Sequence, residues 1–572
     1  MNILTTLTET VSAAFAKRGY DAAYGGVTVS NRPDLCHYQC NGALPAAKAK
    51  KVNPLVIAGE IAEELRGDSR FASADAAPPG FVNLRLSDAF LTSLLCDMAA
   101  DKRLLLPLME RRTIVMDYGG PNVAKPLHVG HLRSAIIGDS MVRLSRFLGH
   151  AVIGDIHLGD WGLQMGLVIA EMEERGLDAG DVSLDDLNEI YPAASARSKT
   201  DASFAEKAAV RTAELQSGDP ALRAVWERLR ATSVEGLRRS YDQMEVFFDR
   251  WYGESDADRF IPPVIDILRE RGLLRESEGA LVVDVALPED KEPMPPMMVQ
   301  KTNGAYIYGT TDLATLYQRK RDFDPDEVWY FTDNRQSLHF KQIFRCAEIA
   351  GILSGGGKNA VCRHFPFGTV NGKDGKPYKT RDGGVMRLSD LIDSVTSNAL
   401  EKVKSSDIEI EEAETGVIAR QLGMAALRVG DMQNHRTKDY IFDMDRFLAT
   451  EGKTGPYLQY TAVRIRSVLV KAAGFKPGAI LPPASDTERD LMLCMPLVPD
   501  ALLRAFADKA PSAICDVLFE LAGRFNRFYF EHKILQHPDE ERRASWLSLL
   551  SLTDRLLTVL LGILGVEVPA HM

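Results

Sequence analysis

The spacing of apolar positions changes character several times along the chain. Up to about residue 105, MNILTTLTETVSAAFAKRGY and NPLVIAGEIAEELRG carry apolar residues at helical spacing. GFVNLRL alternates like a strand, and Gly/Asn/Pro-rich turns lie between. TIVMDY (113–118) is then a short apolar run rich in β-formers. A Gly/Pro loop follows, a helical pattern from about Val129 to Leu148, and a strand-like AVIGDIH. Strand, loop, helix, strand is the βαβ unit of a parallel sheet. The pattern resumes with EVWYFTD, a helix near 338–350 and VCRHFPFG. Roughly 170–300 is highly charged and helix-rich and reads as an insertion in the sheet domain. After about residue 405 strand signals vanish. IARQLGMAALRVGDM, GPYLQYTAVRIRSVLVKAAG, PSAICDVLFELAGRFNRFYFEH and ERRASWLSLLSLTDRLLTVLLGILG all show helical spacing, which predicts a helix bundle. The expected domains are 1–105, 106–405 with the insertion, and 406–572; no internal repeat or low-complexity segment is visible.

Composition narrows the picture only a little. The chain has 572 residues, 45% hydrophobic and 26% charged, the mix of a globular protein of several domains. No apolar run is expected to span a membrane, and the N-terminal stretch lacks a signal peptide's basic-then-apolar layout. Seven scattered cysteines suit a reducing cytoplasm. The net charge of −11 argues against coating nucleic acid wholesale but allows a local basic track. Two short motifs are decoys. Cys36-His37 and Cys40 have no second Cys/His pair at zinc-ligand spacing. GILSGGGKNA (351–360) has its first glycine misplaced for a phosphate loop, and Asn359 stands where Ser or Thr is required.

The strongest local signal is DYGGPNVAKPLHVGHLRS, 117–134. His128 and His131 are three apart at a helix mouth, so they share one side of the first turn. That spacing also suits a plain polar helix start. A metal would want a third ligand, and Asp139 lies eight residues beyond His131, about two turns away. A phosphate fits better. Helix N-termini offer free N–H groups and partial positive charge, imidazoles can donate to the oxygens of a pentacoordinate phosphate, and Gly130 would let a base or ribose approach the backbone.

HVGH resembles the HIGH signature of class I aminoacyl-tRNA synthetases, and PNVAKPLHVGHLRSAIIGD resembles the arginyl-tRNA synthetase family specifically. HLGDWGLQMG, LQSGDP, YIYGTTDLAT, GKPYKTRDGG and EGKTGPYLQYTAVRIRS follow in that family's order, so the resemblance covers essentially the whole chain. It implies a multidomain protein: a small α/β N-terminal domain that touches the tRNA D-loop, a Rossmann-like α/β parallel-sheet catalytic domain and an all-α anticodon-binding bundle. It implies two reactions, formation of arginyl-adenylate from L-arginine and ATP with Mg2+, then transfer to tRNA(Arg). No tightly bound cofactor, metal site, DNA or membrane is expected, and a cytoplasmic monomer is.

The resemblance also assigns residues. His128 and His131 stabilise the transferring phosphate. The family's second signature loop falls on KPYKTR (376–381), with Lys376 and Lys379 toward ATP and Lys125 sharing the phosphates; Gly372, Gly375, Gly383 and Gly384 suit a mobile loop. Asp117, Gly120, Pro121 and Asn122 hold the main-chain end of arginine. Tyr308 and Asp312 are four apart and share a helix face; the resemblance places them, with Gln336, on the arginine side chain. A guanidinium needs a planar, bidentate partner. Glu254 is a weaker candidate for the same pocket. Tyr457, Tyr460 and Arg464, at spacings of three and four, match the anticodon-reading helix, where rings and Arg planes stack on unpaired bases. Arg466 and Lys471 are candidates for phosphates, and Met572 matches a residue near the anticodon. Phe81 and Asn83 match the D-loop contacts, although Cys36-His37 and Pro78 depart from the usual pattern there. Two other readings compete: a regulatory RNA-binding paralogue would have damaged HVGH or pocket residues, and a smaller HxGH nucleotidyltransferase would not need the aromatic–Arg stripe.

Overall fold

The computed structural model describes residues 2–302, 304–376, 386–405, 411–474 and 476–572. These form two compact units. One holds residues up to 109 together with 449–572, and the other holds 110–405 and 411–448.

The second unit is built on four parallel strands: β1 (Thr113–Tyr118), β2 (Ala151–Asp155), β3 (Glu327–Phe331) and β4 (Val361–His364), in the spatial order β4-β3-β1-β2. Every residue of β3 is buried, which explains the apolar run VWYF that follows its ion-paired Glu327. Helix α1 (Val129–Phe147) joins β1 to β2, α2 (Tyr308–Phe323) precedes β3, and α3 (Ser337–Ile349) joins β3 to β4. A Cβ at Gly138 would lie 2.3 Å from Tyr118, so only glycine lets α1 pack this closely on β1. Val115, Val328 and Tyr330 pack with Leu313, Leu316, Phe340 and Ile343 in one core. The chain leaves β1 toward β2 on one side and β3 toward β4 on the other. The order therefore reverses between β1 and β3, and a crevice at such a switch point is where open α/β sheets bind ligands.

Between β2 and α2 the insertion is helical as expected, with helices such as Leu184–Arg197 and Pro220–Gln243. It also contains a three-stranded antiparallel sheet, Leu274–Ser277, Ala280–Val283 and Met297–Gln300. Helix Glu412–Met432, counted above with the C-terminal helices, packs in this same unit. Its Arg428 pairs with Asp139, and its Asp431 lies 3.0 Å from Arg133; all four side chains are buried. A two-residue strand, Tyr440–Ile441, also appears where none was expected, paired with Val370–Asn371.

In the first unit, a four-stranded antiparallel sheet (Val27–Val29, Tyr38–Cys40, Phe81–Leu86, Phe71–Ala77) carries helices including Ile3–Lys17 and Pro54–Leu65. The bundle of the same unit includes α4 (Gly455–Lys471), α5 (Ser512–Glu531) and α6 (Glu540–Ile563). Among the described residues, α6 alone has the length and apolar content to cross a membrane. Ser, Thr, Asp and Arg interrupt its apolar run. Its Leu547, Leu550, Leu556, Leu557 and Leu560 are buried in the bundle, which makes it a core helix.

Candidate functional site

The loop after β1 is tied down from several directions. Gly119 donates its N–H to Ser134 Oγ at 2.8 Å, and that hydroxyl donates to the Phe331 carbonyl at 2.7 Å, stitching the ends of β1 and β3 to α1. Tyr241, in the insertion, donates to the Gly119 carbonyl at 2.8 Å. Val123 N–H bonds to Gly159 O and Gly159 N–H to Pro121 O, so Pro121 is buried and Asn122 lies against Gly159.

His128 is the N-cap of α1. Its Nδ1 accepts the Gly130 N–H at 3.0 Å, while its own backbone N–H bonds to His131 Nδ1 at 3.1 Å, a capping box made of two imidazoles. The rings lie 4.0 Å apart. Because each Nδ1 accepts a hydrogen bond, each neutral ring carries its proton on Nε2. Burial lowers the pKa of His128, helped by Arg335 and Lys125. Burial pushes His131 down to about 3, with His128 and Lys125 adding to the effect. Both are neutral Nε2–H donors at pH 7. Gly130 meets a nearer demand than the approach of a base: a Cβ there would sit 2.7 Å from His128 Cε1. Asp139 is engaged by Arg428 and, at 2.9 Å, by Arg143, so it is not poised as a metal ligand beside the histidines.

Lys125 is half-buried with Nζ 4.7 Å over the Tyr191 ring. Lys376 is exposed; its carbonyl accepts the Gly372 N–H. Lys379, Arg381, Gly383 and Gly384 lie outside the described residues. Met386 and Leu388, just beyond, bond to Val129 and Leu127 on either side of His128.

The floor of the crevice is charged and closed. Arg319 of α2 donates to Asp117 Oδ2 at 2.7 Å and to Asp155 Oδ2 at 2.7 and 3.1 Å, and its plane lies 5.2 Å from the Tyr330 ring. Asp117 and Asp155 face each other across β1 and β2. Burial raises Asp155 above the usual carboxylate range, against the pull of Arg319. Asp117, expected at arginine's main-chain end, thus already shares a guanidinium within the chain.

Above this floor, Asp312 Oδ2 lies 2.6 Å from His339 Nε2, and Oδ1 lies 3.6 Å from His157 Nε2. Tyr308, 63% exposed, caps His339 with ring centroids 4.6 Å apart. Burial and the neighbouring charges of Asp312 and Asp160 push Glu254 up to about 8. Glu254 thus lies within range of the Asp312 charge. Gln336 is exposed at the end of a short turn, Asn334–Gln336. Arg319, Asp155, His157 and His339 were not singled out from the sequence.

On the bundle, Tyr460, Arg464, Arg466, Lys471 and Met572 line one groove of about 940 Å3, with Tyr529 and Phe530. Arg464 lies over both Tyr460 and Tyr529, 4.6 and 5.4 Å from the ring centroids. Tyr457 is separate from the groove: its hydroxyl accepts from Asn526, whose Oδ1 accepts from Arg464. Phe530, 91% exposed, was missed. The run FNRFYFEH held the signal, since four aromatics in six positions exceed what one helix face can bury. Phe81 and Asn83 share the outward face of their strand, with Asn83 accepting from Gln39 at 2.9 Å. His37 Nδ1 accepts the Leu86 N–H, which gives that histidine a structural partner.

Three family models cover most of the chain: the class I (R) tRNA synthetase catalytic domain over 94–444, the DALR anticodon binding domain over 458–572 and the arginyl-tRNA synthetase N-terminal domain over 2–86. The chain is 45% identical to the arginine–tRNA ligase of Alkaliphilus oremlandii, over 98% of each, and 43% identical to that of Maricaulis maris, over 100% of each. Among solved structures it resembles the arginyl-tRNA synthetase of Plasmodium falciparum (TM-score 0.80, 25% identity, 100% of each chain). It also matches in fold the one from Thermus thermophilus (TM-score 0.77, 22% identity, 100% of each).

Proposed function

The chain belongs to the arginyl-tRNA synthetases of class I, and from that premise we propose how its own residues do the work. It is an arginine–tRNA ligase: it activates L-arginine with ATP and charges tRNA(Arg). In the first step a carboxylate oxygen of arginine attacks the α-phosphorus of ATP, the bond to the bridging oxygen breaks, and pyrophosphate leaves with its electron pair. A terminal ribose hydroxyl of the tRNA then attacks the carbonyl carbon, and AMP leaves.

The observation that carries the first step is the paired capping of His128 and His131. Both Nδ1 atoms accept backbone N–H groups, so both Nε2–H groups are free to donate to the charge growing on the α-phosphate oxygens. Preorganised donors of this kind contribute roughly 2.7–4 kcal/mol each in other enzymes. Lys125, Lys376 and Lys379 supply point charges for the phosphates of ATP, which enters as its Mg2+ complex. Gly120, Pro121 and Asn122 hold the main-chain end of arginine, and Asp117, buried against Arg319, supports that loop from beneath. Asp312, Glu254, Tyr308 and Gln336 take its guanidinium. The bundle groove with Tyr460, Arg464 and Met572 receives unpaired anticodon bases, Tyr457 serves it by holding Asn526, and Phe81 and Asn83 meet the D-loop. The protein acts as a monomer in the cytoplasm, where its seven cysteines stay reduced.

Pyrophosphate exchange over a panel of amino acids, with and without tRNA, tests this reading. Exchange should appear with arginine and need tRNA(Arg). Exchange with another amino acid and none with arginine overturns it. Asp312→Ala should abolish arginine use while ATP binding persists.

A further inference from the structure

Two histidines flank Asp312 from separate elements. His339 lies on α3, and His157 follows β2 in the chain. His339 Nε2 lies 2.6 Å from Asp312 Oδ2, and the Tyr308 ring packs against the imidazole at a tilt, with centroids 4.6 Å apart. A carboxylate oxygen pair offers about four acceptor directions, so one imidazole N–H leaves room for a bidentate guanidinium. His157 is different. Its Nε2 is 3.6 Å from Asp312 Oδ1, too long for a hydrogen bond, and neither ring nitrogen has a hydrogen-bond partner among the described residues, though both are shut off from solvent. Buried polar atoms in native proteins pair with protein or with ordered water, and a ring nitrogen beside Asp312 with no protein partner has its hydrogen-bonding capacity to spare. A Cβ at Gly120 would lie 3.0 Å from the His157 carbonyl, so this residue borders the loop expected around arginine. Asp155 below it and Glu254 beside Asp312 leave the surroundings acidic, with Arg319 the balancing cation.

We propose that His157 and His339 complete the guanidinium pocket: His339 is a positioning residue that fixes Asp312, and His157 accepts one guanidinium N–H on its unpaired ring nitrogen. This rests on the reading that Asp312 receives the substrate's side chain. A guanidinium has five N–H groups in one plane, enough for both oxygens of Asp312 and a neighbouring acceptor. An ammonium is a compact point charge and cannot span the same set. The imidazole pair therefore favours arginine over lysine.

The test uses the full chain with tRNA(Arg) in arginine-dependent pyrophosphate exchange, with thermal melts for every variant. His157→Phe should raise the KM for arginine at least tenfold, with kcat within threefold and the KM for ATP within twofold. It should also narrow the preference for arginine over lysine. His339→Leu should raise the arginine KM similarly, and His339→Gln, which retains a donor, should restore it to within threefold. Asp312→Asn is the separate control on the underlying reading: if it spares arginine use, that reading fails. If Asp312→Asn abolishes arginine use but His157→Phe leaves the KM within twofold, the histidine proposal alone is overturned. A measurement needing no variant is nitrogen-15 NMR of histidine-labelled enzyme. A His157 ring nitrogen should shift when arginine is added, and an unchanged signal overturns the proposal even where a variant fails to fold.

Discussion

Beneath the catalytic crevice, charges lie out of reach of water: Asp117, Asp155, Arg319, Asp139, Arg428, Arg133 and Asp431 are each at most 4% exposed. On the bundle groove the arrangement is reversed. Phe530 is 91% exposed and Val470 73%, and Arg464 lies against open rings. Each region holds the type of group that folding alone would place elsewhere. A buried charge needs a partner of fixed geometry, which suits a site that must hold small substrates to within fractions of an ångström. An exposed ring offers a face to any base that can be splayed out, which suits a partner that arrives as a flexible loop.

The contrast is broken most sharply at Arg319. Arg319→Met leaves Asp117 and Asp155 facing each other without a cation. Stranding a buried charge costs about 3–5 kcal/mol, so the urea midpoint of the catalytic unit should fall sharply, as followed by amide exchange in β1 and β2. Adding Asp155→Asn to the same chain should recover part of the loss. Phe530→Ala should change stability by no more than ~0.5 kcal/mol. Equal losses from both would end the distinction between a charge-locked floor and an open groove.

This contrast also explains what the sequence could and could not show. TIVMDY, the helix from Val129 and the His128–His131 pair were legible because strand, cap and helix are local patterns. Tyr308 and Asp312 were legible because they are one turn apart. Arg319, seven residues beyond Asp312 on the same helix, stands among other charged residues in YQRKRD, where no local pattern marks it; only the pairing with β1 and β2 reveals its burial. His157 and His339 meet Asp312 from two other elements, and no spacing announces that. Helix Glu412–Met432 was correctly seen as a helix, but its place in the catalytic unit depends on Arg428 and Asp431 finding partners on α1. On the bundle, the aromatic stripe was legible in composition but not in detail: Tyr457 serves Asn526, while Phe530 stands free.

The groove has its own test, of smaller size. If Phe530 is a stacking face, Phe530→Ala should weaken tRNA(Arg) binding by about 1–3 kcal/mol, the usual worth of one base–aromatic stack. Fluorescence anisotropy at fixed salt measures it. Binding of arginine and ATP should be unaffected. A mutant that binds tRNA normally would show that the exposed ring is incidental and that the groove works through its cations alone.

The smallest effect returns to the crevice and concerns Glu254. In the free chain its pKa is raised to about 8, first by burial and then by the charges of Asp312 and Asp160. At pH 7 it is therefore protonated. A guanidinium beside it favours the charged form, so arginine binding expels a proton. The sign follows: below pH 8 raising the pH removes part of the proton's cost, and arginine affinity should rise by up to about tenfold per unit, ~1.4 kcal/mol. Above pH 8 the rise should level off, because the carboxylate is then already ionised. Calorimetry in buffers of different ionisation heat should detect close to one proton released per arginine bound at pH 7. Glu254→Gln should flatten the pH profile and abolish the release. The neutral histidines cannot mimic this slope from His131, which burial holds near 3 and which does not titrate in that window. An unchanged slope in Glu254→Gln would move the proton to another group and remove Glu254 from the pocket, leaving Asp312 as its principal charge.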